Sequence, residues 1–420
     1  MIALRLGIIP LTDCAIVAVA YEKGFFRRHG IDATLTREVS WANIRDKLAA
    51  GALDGAQMLA AMPIAATLGI DPVAVPMVTA LSLGLNGNAV TVSEALWSRM
   101  TEADPAAMAE RPLHARALGR VLAEDRRAGR PPLRFATVYP FSTHNYELRY
   151  WLAAWGIDPE RDVQLSVVPP PRMVESLERH TIDGFCVGEP WSSLAVRRGT
   201  GRIAITKYEI WNNSPEKVLA VRRDWAEQHP ALHRAALCAL LEAAAWSDDA
   251  GNREELARIL ASERYVGGPE SMLTASLSGR LTIAQGAAPI AVPDFHVFHR
   301  YAANFPWASH AAWLVVQMLR WGQLDEPVDI LEAARSVYRA DLYRAAALEV
   351  GVAAPDVDVK SEGTHTGPWS LPTGVGTIEM GSDLFCDGGR FDPGDLVAYL
   401  ASSPIAASRV SLDALASANR

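Results

Sequence analysis

Arg134-Phe135-Ala136-Thr137-Val138 is followed by Asn145 to Trp155 with Gly156, then by Val163 to Val168, Met173 to Arg179 and Asp183-Gly184-Phe185-Cys186-Val187. The first, third and last of these runs are short, apolar and rich in β-branched or aromatic residues, as buried strands are. Asn145 to Trp155 has helical periodicity and ends at a glycine, a common helix stop. Met173 to Arg179 is a second, shorter helix. The same order stands about 130 residues upstream. There Leu4 to Ile9 reads as a strand and Ile16 to Arg28 as a helix ending at Gly30. A strand near 32–38, a helix over 42–50 and a short strand after Asp54-Gly55 complete it. In both halves an Asp-Gly pair stands between the second helix and the third strand.

Alternating strands and helices imply mostly parallel sheets covered by helices on both faces. The expectation is an α/β chain of two related lobes. Residues 1–100 form the first part of lobe I. Residues 101–132, rich in Ala, Arg, Glu and Pro, form a helical insertion ending in the linker Gly129-Arg130-Pro131-Pro132. Residues 133–205 form lobe II, and 206–420 return to lobe I with a C-terminal extension. That extension carries helices at Ala231–Ser247, Gly251–Ala261, His310–Trp321 and Val328–Ala340. The segment 355–395, rich in Gly, Pro and Asp, is expected to loop over the surface.

A length of 420 residues fits two or three domains. With 50% hydrophobic and 21% charged residues the chain is neither disordered nor fibrous. The net charge of -8 gives no global attraction to nucleic acid or anionic membrane. An anion would have to be held by a local arrangement. Four cysteines, at 14, 186, 238 and 386, are too scattered for a disulfide framework and show no CxxC spacing, so no metal site is expected. Met1 leads directly into the strand-like Leu4-Arg5-Leu6-Gly7-Ile8-Ile9-Pro10, with no basic n-region or cleavage site. Apolar stretches fall short of a membrane span. The expected location is cytoplasmic.

In sheets of this kind ligands sit beyond the carboxyl ends of the strands. The loops at 10–15, 39–43, 139–145 and 187–191 are therefore where binding is expected. Tyr139-Pro140-Phe141-Ser142-Thr143-His144 runs into a helix that Ser142 or Thr143 can cap. Its N-terminus is either an anion site or a cap beside a structural histidine. Ser40-Trp41-Ala42-Asn43 sits equivalently in the first half, where the Trp41 indole either packs or offers its N–H. Gly188, in Val187-Gly188-Glu189-Pro190-Trp191, permits close approach of a ligand or simply a tight turn. Lys217 opens an apolar segment and alone reads as a surface lysine. Motifs of the GxSxG, Walker A, HExxH and strand-bound GxGxxG kinds are absent. Leu85-Asn86-Gly87-Asn88 and Asp387-Gly388-Gly389 are loop signals without phosphate-loop context. The residues alone support a two-lobed α/β binding protein, with no enzyme activity and no cofactor.

Taken together, five motifs carry a family resemblance. They are Pro10-Leu11-Thr12-Asp13-Cys14-Ala15, Ser40-Trp41-Ala42-Asn43-Ile44-Arg45-Asp46, Pro140-Phe141-Ser142-Thr143-His144-Asn145, Arg149-Tyr150-Trp151-Leu152-Ala153-Ala154 and Asp183-Gly184-Phe185-Cys186-Val187-Gly188-Glu189-Pro190-Trp191. In this order and spacing the chain resembles the nitrate/bicarbonate-binding proteins of ABC transporters. It is most similar to their cytoplasmic branch, nitrate/nitrite sensors of the NasS type. The resemblance extends through Phe298-His299-Arg300-Tyr301 and Phe305-Pro306-Trp307 to about residue 345.

The resemblance implies a type II periplasmic-binding-protein-like fold, two lobes joined by a hinge with the anion in the cleft. It implies nitrate contacts from Trp41, His144, Gly188 and Lys217, and from Asn88 where the family carries a longer Gln. Nitrate is planar, monovalent and acceptor-only, so Lys217 would supply the counter-charge and Trp41, His144 and the Gly188 amide directed N–H groups. Charge-assisted hydrogen bonds contribute about 1.5–3 kcal/mol each. Three or four support micromolar binding, about 8 kcal/mol, after association costs. Bicarbonate-binding relatives place an acidic residue and calcium where this chain has Lys217, which favours nitrate. The implied partner is an RNA-binding antiterminator of the response-regulator type, with no direct nucleic-acid contact. The alternative is the substrate-binding component of a nitrate, bicarbonate or cyanate transporter. Thiamine-pyrimidine synthases share the fold superfamily but carry a cysteine-rich iron-binding run that this chain lacks.

Overall fold

The structure is a computed structural model that describes residues 1–419. Buried apolar runs form two five-stranded sheets. Four strands come first: β1 (Ile2–Ile8), β2 (Ile31–Arg37), β3 (Gly55–Leu59) and β4 (Met77–Ser82). The two-residue β5 (Leu85–Asn86) is followed by β6 (Asn88–Ser93), β7 (Arg134–Thr137), β8 (Gln164–Val167) and β9 (Gly184–Gly188). The set closes with β10 (Gly201–Thr206) and β11 (Lys217–Arg222). The sheet of lobe I has the order β2-β1-β3-β11-β4, and that of lobe II β10-β6-β9-β7-β8. Pairing is parallel for β1 with β2 and β3, and for β7 with β8 and β9. One strand in each sheet runs antiparallel to both neighbours, β11 in lobe I and β6 in lobe II.

Each antiparallel strand is reached by a crossover from the other sheet. The chain leaves lobe I after Ser82 and joins the lobe II sheet at Asn88, then returns between Thr206 and Lys217. Sheet membership thus changes at 83–87, whereas the sequence reading carries lobe I to residue 100. The reason is that β6 fills the slot between β9 and β10, and the helix Glu94–Ala103 packs on β6 and β10. The turn that permits the crossover is Asn86-Gly87, with φ of 63° and 85°. Both values lie in the left-handed region that Gly and Asn tolerate best.

The two Asp-Gly pairs explain the repeat physically. Asp54 accepts the Arg5 backbone N–H at 2.8 Å, and Asp183 that of Arg134 at 2.7 Å, each 49 residues apart in sequence. The two guanidinium groups then donate to the carbonyls of Gly51 and His180 at 2.9 and 2.6 Å. In each lobe the first strand is thereby fixed to the entry of the third. The expected helix over Ile16 to Arg28 is two helices, Ala15–Glu22 and Phe25–Arg28, broken at Gly24 with φ of 73°.

The segment 355–395 does more than loop over the surface. It forms the hairpin Trp369–Thr373 with Gly376–Met380 and buries Glu362, Asp383, Phe385 and Phe391. Phe385 stacks on Trp211 of the second crossover at 4.8 Å, and Asp387 accepts the Tyr150 hydroxyl of lobe II at 2.8 Å. The C-terminal extension therefore grips both lobes, because its aromatic residues need apolar partners that the crossover supplies. The lobes meet directly as well. Thr12 N–H donates to the Glu189 carbonyl at 2.8 Å, and the Tyr139 hydroxyl donates to Asp71 at 2.7 Å while accepting from Arg45 at 2.7 Å. Among the described residues no helix is long and apolar enough to cross a membrane.

Candidate anion-binding site

Carboxyl ends of parallel strands and the ends of both crossovers converge between the lobes. The loop after β1 presents Thr12 and Asp13. The helix after β2 begins at Trp41, its N-cap Ser40 accepting the Asn43 N–H at 3.2 Å. Asn88 opens β6, and Gly188 closes β9 as its pairing partner. Ser142 caps the helix Thr143–Ala154 by accepting the Asn145 N–H at 3.1 Å, which places Thr143 and His144 in its first turn. Glu216 ends the second crossover and Lys217 opens β11. By topology the lobe I counterpart of the Ser142 loop is the loop carrying Thr12 and Asp13. Ser40-Trp41 follows the second strand of its lobe, not the first, so its equivalence to Ser142 does not hold.

The structure brings all five expected residues into one buried cluster. The Lys217 ammonium lies 5.4 Å from the Trp41 ring centroid. A Cβ on residue 188 would stand 3.2 Å from Asn88 Oδ1 and 3.4 Å from Asp13 Oδ2, so Gly188 brings bare backbone into the cluster. His144 Nε2 is 3.4 Å from Glu216 Oε1, and Glu216 in turn holds Lys217. Lys217, His144 and Asn88 are 0% exposed and Trp41 1%, so Lys217 is no surface lysine.

The charges differ from the sequence reading. Lys217 is not a free counter-charge, since its ammonium already pairs with Asp13 at 2.8 Å and with Glu216. A second buried lysine, Lys207, pairs with Glu147 at 2.6 Å and with Glu216, and donates to the Pro215 carbonyl at 2.6 Å. Asn88 and Thr143 also donate to Glu216, and Gln57 donates to Asp13. Asn88 thus serves Glu216 with its amide nitrogen, as its short side chain allows. Asp13, Gln57, Thr143, Glu147, Lys207 and Glu216 were not among the expected site residues. The available signals were slight: Asp13 lies within the loop 10–15, and Glu216 directly precedes Lys217.

Burial pushes the Asp13 carboxyl above its usual range, against the pull of Lys217. Burial would raise Glu216 too, but the Lys207 and Lys217 ammoniums hold it well below. Burial opposes the charge on Lys217, yet Asp13 and Glu216 outweigh it and raise its pKa. Glu147 is pushed up to about 8 by burial despite Lys207. Burial lowers His144 to about 3, which makes it a neutral imidazole at neutral pH.

Several buried polar atoms in and around this cluster have no hydrogen-bond partner among the described residues: Trp41 Nε1, both ring nitrogens of His144, Asn88 Oδ1 and Thr12 Oγ1. Leaving such a group unpaired costs about 1–3 kcal/mol. The indole N–H can only donate, so it calls for an acceptor. A structural histidine would be satisfied by the protein, and His144 is not. The arrangement suits a small, acceptor-rich ligand held by donors from both lobes beside an ammonium. Trp41→Phe is therefore expected to weaken binding of such a ligand by about 1–2 kcal/mol with folding unchanged. Unchanged affinity by calorimetry would leave Trp41 a packing residue. Among the described residues metal-ligand spacing occurs at His29, just past the helix Phe25–Arg28, with Cys238 and Glu349, away from these loops.

Similarity to known proteins defines the family. A model of the NMT1-like family matches residues 2–261. The chain is 33% identical over 406 residues to the nitrate/nitrite binding protein NrtA of Nostoc sp., covering 96% of this chain and 85% of the relative. It is 40% identical over 369 residues to the nitrate import ATP-binding protein NrtC of Synechocystis sp., covering 87% of this chain but only 52% of that protein. The chain thus spans about half the length of that ATP-binding relative. The crystal structure of the periplasmic nitrate-binding protein NrtA from Synechocystis superposes with a TM-score of 0.83 at 30% identity, covering 96% of this chain and 98% of the other. The expected periplasmic-binding-protein-like fold is thereby established, and the chain belongs to the NMT1-like family together with the NrtA-type nitrate-binding proteins.

Proposed function

We propose that this protein binds nitrate or nitrite between its lobes and acts as a cytoplasmic sensor that controls an RNA-binding antiterminator of the response-regulator type. The observation that carries the binding step is the set of unpartnered buried donors on Trp41 and His144 beside Lys217, drawn from both lobes. A ligand there would complete hydrogen bonds that the protein leaves open. The cytoplasmic placement draws on the likeness to half of a nitrate import ATP-binding protein. ATP is spent on the cytoplasmic side, so a domain of this kind can work there. Neither step involves covalent chemistry, and the protein itself needs no RNA-binding surface at a net charge of -8.

A second reading, a transport receptor that hands nitrate to a membrane permease, draws on the likeness to NrtA over nearly the whole chain. The two readings part at the partner. A sensor must couple occupancy to a second surface, and by linkage the partner alters ligand affinity as much as ligand alters partner affinity. Size-exclusion chromatography with the antiterminator is expected to show a complex that dissociates on adding nitrate or nitrite. A complex indifferent to nitrate, or none in either condition, would leave the transport receptor. In competition assays nitrate and nitrite should bind with similar strength, while sulfate and phosphate should fail. A second negative charge would need a further cation in a site already rich in carboxylates. Tight sulfate binding would contradict this pocket.

A further inference from the structure

Lys207 and Lys217 face Asp13, Glu147 and Glu216 within the cluster. Glu189 follows Gly188 and is buried with one oxygen unpartnered. Acidic groups therefore match or outnumber the cations before a ligand arrives. A monovalent anion entering this buried site would leave net negative charge out of reach of water, which is costly. Some further positive charge must come with it.

The geometry shows where that charge can settle. His144 Nε2 faces Glu216 Oε1 at 3.4 Å, and Nδ1 has no protein partner. A neutral imidazole has one N–H and one lone pair. With Glu216 on one side and an anion on the other, one nitrogen would turn its lone pair towards an acceptor. An imidazolium donates on both sides.

We propose that the site takes up its anion together with one proton, and that this proton resides on His144. The proposal rests on the anion-binding reading above and adds the means by which the site balances charge. Glu216, Lys217 and Lys207 act directly on His144, and the cluster holds further titratable groups. Glu147 shares its helix, Glu216 and Lys217 come from the second crossover and β11, and Lys207 from the helix Lys207–Ile210. Asp13 comes from the loop after β1, Cys186 from β9 and Glu189 from the loop beyond it. Of these only the two lysines are cationic, and both are already paired. In the empty site burial keeps the imidazole neutral, so a proton is there to be gained.

Calorimetric titration of nitrate between about pH 5 and 8, in buffers of different ionisation enthalpy, tests this. The expected result is close to a tenfold loss of affinity per pH unit over at least two units, with uptake of near one proton per nitrate. His144→Gln keeps a donor but cannot gain a proton, so it should bind more weakly and with a much flatter pH profile. Nitrate binding with flat affinity and buffer-independent heat would overturn the proposal and leave the anion-binding reading intact. A full pH slope retained in His144→Gln would overturn the assignment to His144. No binding of nitrate or nitrite at any pH would remove the anion-binding reading and this inference with it.

Discussion

Lys217→Met should weaken nitrate binding by about 2–4 kcal/mol and also destabilise the empty protein by about 3–5 kcal/mol. Both effects follow from one geometry. The ammonium is fully buried and shared between Asp13 and Glu216, with the Trp41 ring 5.4 Å away. Methionine keeps the length of the side chain, so packing changes little and the lost charge dominates. Asp13 is left buried with, among the described residues, only the Gln57 side chain to donate to it, and burial already raises its pKa. It should therefore take up a proton, and this group's contribution to stability should be greatest at low pH and fall as pH rises. Calorimetry reads the first effect and urea unfolding the second. Wild-type nitrate affinity in a folded variant would remove Lys217 from the site. Unchanged stability would mean that the buried ion pairs with Asp13 and Glu216 contribute little.

Much of this architecture was legible because it depends on local pattern. Strand and helix order in both lobes follows from apolar runs separated by glycine stops. The pairing of Asp54 with Arg5 and of Asp183 with Arg134 shows why the repeat shares an Asp-Gly pair despite differing elsewhere. The crossovers were not legible. Nothing in Asn88 to Ser93 distinguishes a strand that stays in its sheet from one that leaves it, because that choice depends on the vacant slot beside β9. Of the site, the donors could be named because the resemblance points to Trp41, His144, Gly188 and Lys217. The carboxylates could not, since charge complementarity with an anion gives no reason to look for Asp13 or Glu216. They are needed for a different reason: a buried ammonium must be paired whether or not a ligand is present. Lys207 was hidden for the same reason, as a lysine at a helix start looks exposed until its tertiary partners are known.

Lys207→Met offers the largest effect on stability away from the ligand. Its ammonium joins Glu147, Glu216 and the Pro215 carbonyl, holding the second crossover to the helix that carries His144. Removing it should cost about 3–5 kcal/mol at alkaline pH, because two buried carboxyl groups lose a partner. Glu216 retains Lys217, Asn88 and Thr143, so the deficit falls mainly on Glu147. The sign of the pH dependence follows from the Glu147 carboxyl, which burial raises to about 8 from its ordinary 4.5. Its neutral form is favoured by folding, so that contribution is complete below about pH 4.5 and is lost as pH rises through about 8. Without Lys207 the folded-state pKa should climb further, so the variant loses more stability on going from pH 6 to pH 9 than the wild type does. Glu147→Gln removes the titrating group, and in combination with Lys207→Met it should recover part of the loss and flatten the profile. A double-mutant cycle by urea unfolding at the two pH values measures this coupling. Additive losses with the same pH slope in all four proteins would show that Lys207 and Glu147 do not act as a pair. The crossover would then be held by packing of Trp211 against Phe385 and Trp313, whose ring centroids each lie 4.8 Å away.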